Sequence, residues 1–142
     1  MNQFSRCSQC LAIALFGFAL AGCGDSNTPP LGDVQGQVTF NDAPVDGCNV
    51  VFVPLEGGRS SSAVTDMDGR YVLKFNATST GALVGEHKVQ LTTARDRVVS
   101  DEGTLRDAGR KEVFPKEYNS ETTQIVEVAG SDNTIDFHVV GK

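Results

Sequence analysis

Val34 to Phe40 alternates apolar and polar positions, setting Val34, Val38 and Phe40 on one face with Gly36 between them and Gln35, Gln37 and Thr39 on the other. That is the period of a strand buried on one side. Asn41-Asp42-Ala43-Pro44 turns the chain, and Asn49 to Val53 (NVVFV) is apolar on both faces, as a central strand is, before Pro54 ends its pairing. Ser62 to Thr65 and Tyr71 to Phe75 flank Asp66-Met67-Asp68-Gly69, which predicts a hairpin with Gly69 where a positive φ is needed. Gly85 to Thr93 is the next strand, with His87, Val89 and Leu91 facing one way. Gln124 to Val128 and Ile135 to Val140, joined by GSDN, predict a closing hairpin with Ile135, Phe137 and Val139 inward. No stretch of the mature chain sustains a helical period.

About seven short strands with a turn every 8 to 12 residues predict an all-β domain, a single antiparallel β-sandwich. The strand Trp and paired cysteines of immunoglobulin domains are missing. The transthyretin-like, or prealbumin-like, arrangement is therefore expected. Asp96 to Glu121 interrupts the pattern: it is charge-rich, broken by Gly103, Gly109 and Pro115, and long for a connection.

The N-terminus carries a different signal. Residues 1 to 10 are polar with one cation, Arg6, and run into the uncharged Leu11 to Ala21 (LAIALFGFALA). This is the layout of a secretory signal peptide, about half the length needed to span a bilayer. Leu20-Ala21-Gly22-Cys23 follows, and it resembles the bacterial lipobox: small residues fit the peptidase subsites, and Cys23 supplies the thiol to be acylated. Residues 1–22 are expected to be removed, and 23–33 to form an acylated cysteine and flexible tether (GDSNTPPLGD after Cys23). Residues 34–140 form the domain. One acyl chain holds weakly, so stable anchoring calls for the usual multiple acylation, palmitate among the chains. The expected location is the cell envelope, lipid-anchored on the periplasmic or outer surface side of a membrane.

With 39% hydrophobic and 21% charged residues in 142, the chain can pack one ordinary domain. Its net charge of -6 argues against a nucleic-acid partner, because phosphate binding needs clustered cations.

Cys7 and Cys10 lie in the segment expected to be removed, so their Cys-x-x-Cys spacing is given no role. With Cys23 acylated, Cys48 is left without a partner for a disulfide and is expected to act as a small buried hydrophobe. Asp66 and Asp68 could offer oxygens to calcium, but the twelfth position of such a loop is Ala77, not Glu. No metal site and no cofactor is expected.

VQGQVTFNDAPVDGCNVVFVP, TDMDGRYVLKF, GALVGEHKVQL and FPKEYN together resemble the carboxypeptidase regulatory-like family of bacterial envelope lipoproteins, over Val34 to Val140. The resemblance implies a prealbumin-like fold that serves as an accessory or surface module without chemistry of its own. His87 departs from it, standing where the family tends to carry Tyr.

The same fold also hosts catalysts. An intradiol dioxygenase holds iron with two Tyr and two His, and this chain has Tyr71, Tyr118, His87 and His138. Their order is Tyr, His, Tyr, His rather than two tyrosines followed by His-x-His, and the alternation puts His138 opposite the inward Phe137. The Tyr-Arg-Gly-Ser terminus of hydroxyisourate hydrolases is replaced by Val-Val-Gly-Lys, and neither His-x-x-Glu nor Gly-x-Ser-x-Gly occurs. The expectation is a non-catalytic, membrane-anchored envelope lipoprotein, a structural or protein-binding module with an unidentified envelope protein as partner. The alternative is a module binding glycan or calcium through the 55–62 and 96–121 loops, with Tyr118 as the one aromatic platform of that insertion.

Overall fold

The computed structural model describes residues 29–141. In chain order the strands are β1 (Leu31–Gly32), β2 (Val34–Phe40), β3 (Ala43–Pro44), β4 (Asn49–Pro54), β5 (Ser61–Val64), β6 (Arg70–Val72) and β7 (Ala82–Leu83). They continue with β8 (Gly85–Thr92), β9 (Val98–Val99), β10 (Leu105–Asp107), β11 (Ile125–Val128), β12 (Asn133–Thr134) and β13 (Phe137–Val139). A single 3-10 turn covers Lys116–Tyr118. The seven expected strands are β2, β4, β5, β6, β8, β11 and β13.

One sheet runs β11-β8-β4-β5, antiparallel throughout, with β4 interior as its doubly apolar sequence requires. The second is built on β2, which pairs antiparallel with β3 and β6 and parallel with β12 and β13. Val50, Phe52, Val89 and Leu91 from the first sheet meet Val34, Val38, Leu73 and Val139 from the second, all buried. Phe52 and Phe137 cross between the layers edge to face, with ring centroids 6.2 Å apart. The domain is thus an all-β sandwich, with the inward residues that alternation selects.

Asn41 and Asp42 have φ of 48° and 67°, and they join β2 to β3 with Phe40 opposite Ala43. This is a two-residue hairpin of the kind that needs both central residues at positive φ. Gly69 has φ of +70° and closes the Asp66 turn, where a Cβ would press on the Val38 carbonyl. Register sets Val64 opposite Val72 across that turn, between the Ser62–Lys74 bridge and the bond from Asp66 N–H to the Arg70 carbonyl. The ladder does not include that middle rung, and the two strands turn to different sheets.

Three expectations are corrected. Gln124–Val128 and Ile135–Val140 are not a closing hairpin: β11 pairs with β8, whereas β13 crosses to the other sheet and lies parallel to β2. Asn133 diverts the chain, its Nδ2 donating to the Asp33, Ala129 and Ser131 carbonyls. The expected purely antiparallel pairing accordingly holds in the first sheet and not in the second. Finally, the end of the expected tether is strand: Leu31 and Gly32 pair with Leu83 and Ala82, and Val84 N–H donates to the Pro30 carbonyl. Pro and Gly content reports local stiffness, and it carries no information about a partner strand some fifty residues away.

The strand directions define two poles. Pro30, Pro54, Gly85 and Val128 sit at one, and the Asn41–Asp42 turn, Thr92 and Val139 at the other.

Candidate functional site

Cys23 and the lipobox residues Leu20, Ala21 and Gly22 lie outside the described residues, as do Cys7 and Cys10. The other residues singled out above fall at separate places. Asp66 Oδ1 accepts from the N–H groups of Asp68 and Arg70, both at 2.9 Å, so this carboxylate is occupied in closing its own turn. Tyr71 is buried, donates its hydroxyl to the Ile135 carbonyl at 2.6 Å, and stacks on Phe137. His87 is buried as alternation requires, its Nδ1 3.0 Å from the Gly85 carbonyl and its Nε2 without a partner. Phe52 and Phe137 stand in the line of rings between His87 and Tyr71. His138 is exposed on the outer face, with Nδ1 2.9 Å from the Thr39 hydroxyl. The two tyrosines and two histidines therefore do not converge. Among the described residues, no three His, Cys, Asp or Glu side chains are grouped to hold a metal ion.

Cys48 is fully buried, and burial pushes its thiol up to about 12. Its N–H donates to the Thr65 hydroxyl at 2.8 Å. A thiol so placed is held protonated and out of reach.

The 96–121 insertion is ordered by contacts that the sequence pattern did not disclose. Arg95 and Arg110 close its first half through reciprocal backbone bonds of 2.9 Å, and β9 pairs with β10 beyond them as a ribbon. The Arg110 guanidinium donates to the carbonyls of Thr93, Asp46 and Gly47 at 2.8, 3.0 and 2.9 Å. Glu112 Oε1 accepts from the Thr93 hydroxyl at 2.6 Å and Phe114 N–H at 2.9 Å, while Oε2 accepts from Thr93 N–H at 3.1 Å. Burial by itself would raise the Glu112 carboxyl, but these hydrogen bonds outweigh it and hold the group below the ordinary carboxylate value. Phe114 then packs into the core against Phe40 at 5.5 Å. The tie at one end and the plug at the other leave the ribbon projecting at the Thr92 pole, with Val98, Val99 and Leu105 half-exposed.

A second surface lies on the flank where β5 meets β6. The expected 55–62 loop is shorter than its sequence suggests, since Ser61 and Ser62 are already strand. Beside the missing rung, Val64 and Val72 remain 65% and 52% exposed and floor a groove of about 560 Å3. Arg59 and Lys74 stand at its sides, and the Arg59 guanidinium carbon lies 5.9 Å above the centre of the Phe75 ring. Sequence reading reached this place only as a Ser-rich loop. Lys74 and Arg59 lie fifteen positions apart, and only the fold sets them on one groove.

No family model matches the chain, and no curated protein matches it in sequence. Among solved structures the chain is similar to the major pilin subunit of Bacillus cereus, at 11% identity and a TM-score of 0.46, covering 80% of this chain and 31% of that one. It is also similar to a DUF3823 family protein from Parabacteroides merdae, at 13% identity and 0.45, covering 79% and 47%. A 9R-lipoxygenase from Cyanothece matches at 14% identity and 0.41, covering 78% and 16%. This chain spans less than half the length of each.

Proposed function

We propose that the chain is a non-catalytic lipoprotein of the bacterial cell envelope, anchored through acylated Cys23, whose β-sandwich serves as a structural and protein-binding module. The observation that carries this reading is the apolar run Leu11 to Ala21 ending at Leu20-Ala21-Gly22-Cys23, followed within a few residues by a folded domain. Its likeness to carboxypeptidase regulatory-like modules points the same way. Tyr71, Glu112 and Asp66 are each committed to the fold at separate places, on Ile135, on Thr93 and on the Asp66 turn.

The anchor also sets the end from which the module hangs. Seven residues from Cys23 to Pro30 reach roughly 25 Å when fully extended. The domain then hangs from the pole bearing Pro30, and the β9–β10 ribbon lies at the opposite pole.

Intact mass and membrane fractionation test the anchor in a bacterium that processes lipoproteins. Wild type is expected as a chain beginning at Cys23 with acyl mass, in the membrane fraction, and the Cys23→Ala variant is expected unprocessed or released. A soluble, unacylated wild-type chain overturns the reading.

A further inference from the structure

We propose that the groove between β5 and β6 binds an extended, acidic peptide segment of another protein. This rests on the protein-binding reading above and gives it a surface and a partner chemistry.

The first ground is charge. The chain carries 18 Asp and Glu against 12 Lys and Arg, yet the residues lining this groove include Arg59 and Lys74 and no carboxylate. Neither cation is in an ion pair among the described residues, as is true of most cations of this chain. What sets the groove apart is two cations with no carboxylate on one depression of an acidic protein, which favours an anionic occupant. Arg59 also lies within cation–π distance of Phe75, a contact that biases the guanidinium toward the groove.

The second ground is shape and polarity. Beside the cations, the lining has an apolar part made by Val64, Val72 and Phe75, with Ser62 and Asn76 as neutral polar groups. A free inorganic anion has no use for such a floor. An extended peptide presents side chains to one face at every second residue, so it can lay apolar residues on the valines and carry carboxylates to Arg59 and Lys74. Ser62–Val64 and Val72–Phe75 run about 7 and 10 Å at the strand rise, room for three or four extended peptide residues, with Ser62, Val64, Val72 and Lys74 as their exposed positions.

Selection of phage-displayed random dodecapeptides on the full chain in detergent tests this, with the Arg59→Gln/Lys74→Gln double variant in parallel. The winning peptides are then synthesised and titrated by fluorescence anisotropy. Enriched sequences should alternate β-branched or aromatic residues with Asp or Glu. Their affinity should fall about tenfold on the double variant, and equally when their acids are replaced by amides. Peptides that bind wild type and double variant alike overturn the groove and leave the module a protein binder elsewhere. Failure of any peptide to enrich counts against the protein-binding reading itself. Co-sedimentation of the Cys23→Ala chain with phosphatidylglycerol vesicles, lost in the double variant, would give the groove to a lipid phosphate and overturn the peptide.

Discussion

The Tyr71 hydroxyl donates to the Ile135 carbonyl at 2.6 Å, and the approach exists because Gly36 lies beneath it without a side chain. A Cβ on Gly36 would strike that carbonyl and sit 3.0 Å from Tyr71 Cε1. The bond ties β6 to the chain entering β13 across β2. Tyr71→Phe leaves a shielded carbonyl without its donor and should cost about 1–2 kcal/mol. Gly36→Ala displaces backbone and should cost more, about 3 kcal/mol. Urea unfolding of both variants checks the order.

Arg110 joins the root of the ribbon to the loop before Cys48 through three carbonyls. Lysine has the charge but not the fork, so Arg110→Lys should lose most of what Arg110→Ala loses, about 2–3 kcal/mol. Hydrogen exchange should show amides of β9 and β10 losing protection ahead of those in β4 and β8.

Acid should weaken the fold in two stages. Burial holds His87 below its ordinary value of 6.5, so beneath that pH the unfolded chain takes a proton that the native chain refuses. Stability then falls by up to about 1.4 kcal/mol per pH unit until the native imidazole charges. Glu112 is shifted the same way by a different cause: its hydrogen bonds keep the carboxyl below 4.5, and its stabilisation is present above that value and lost as pH falls through the folded value. His87→Phe should flatten the upper limb of a thermal-melting series between pH 7 and 5, and Glu112→Gln the lower.

Cys48 should ignore thiol reagents in the native state. In a chain with Cys7, Cys10 and Cys23 replaced by Ser, labelling should appear only with unfolding, and its rate should rise through the urea transition.

Asp42 stands at φ 67° in the two-residue turn between β2 and β3. Glycine adopts that conformation without strain, so Asp42→Gly should stabilise by about 0.5–1 kcal/mol, read as an increase in the urea midpoint.

Alternation along the chain selected most of the inward residues: Val34, Val38, Val89, Leu91, Phe137 and Val139 are all buried, and so is His87, whereas Thr39, set on the polar face, is also buried, beneath its contact with His138. It also placed Gly69 in its turn and His138 outside. Each of these depends on the residue itself and on which way a strand points it, which neighbours in sequence already establish. The groups that hold the insertion escaped notice because Arg110 and Glu112 are two charges among many in a charged stretch. Nothing near them in sequence marks Gly47 or Thr93 as their partners.

Strand partners were beyond the reach of the pattern for the same reason. The run Phe137 to Val139 reads equally well as the return arm of a hairpin and as a crossover, and the choice falls to Asn133 and to a parallel seat on β2 a hundred residues earlier in the chain. Likewise Leu31 and Gly32 read as tether until Ala82 and Leu83 lie beside them, and Arg59 and Lys74 share a groove only once β5 and β6 part at Val64 and Val72. Which face each residue presents is a local property of hydropathy and backbone geometry; which strands and charges meet depends on contacts between distant segments, and those form only when the two layers close on a common core.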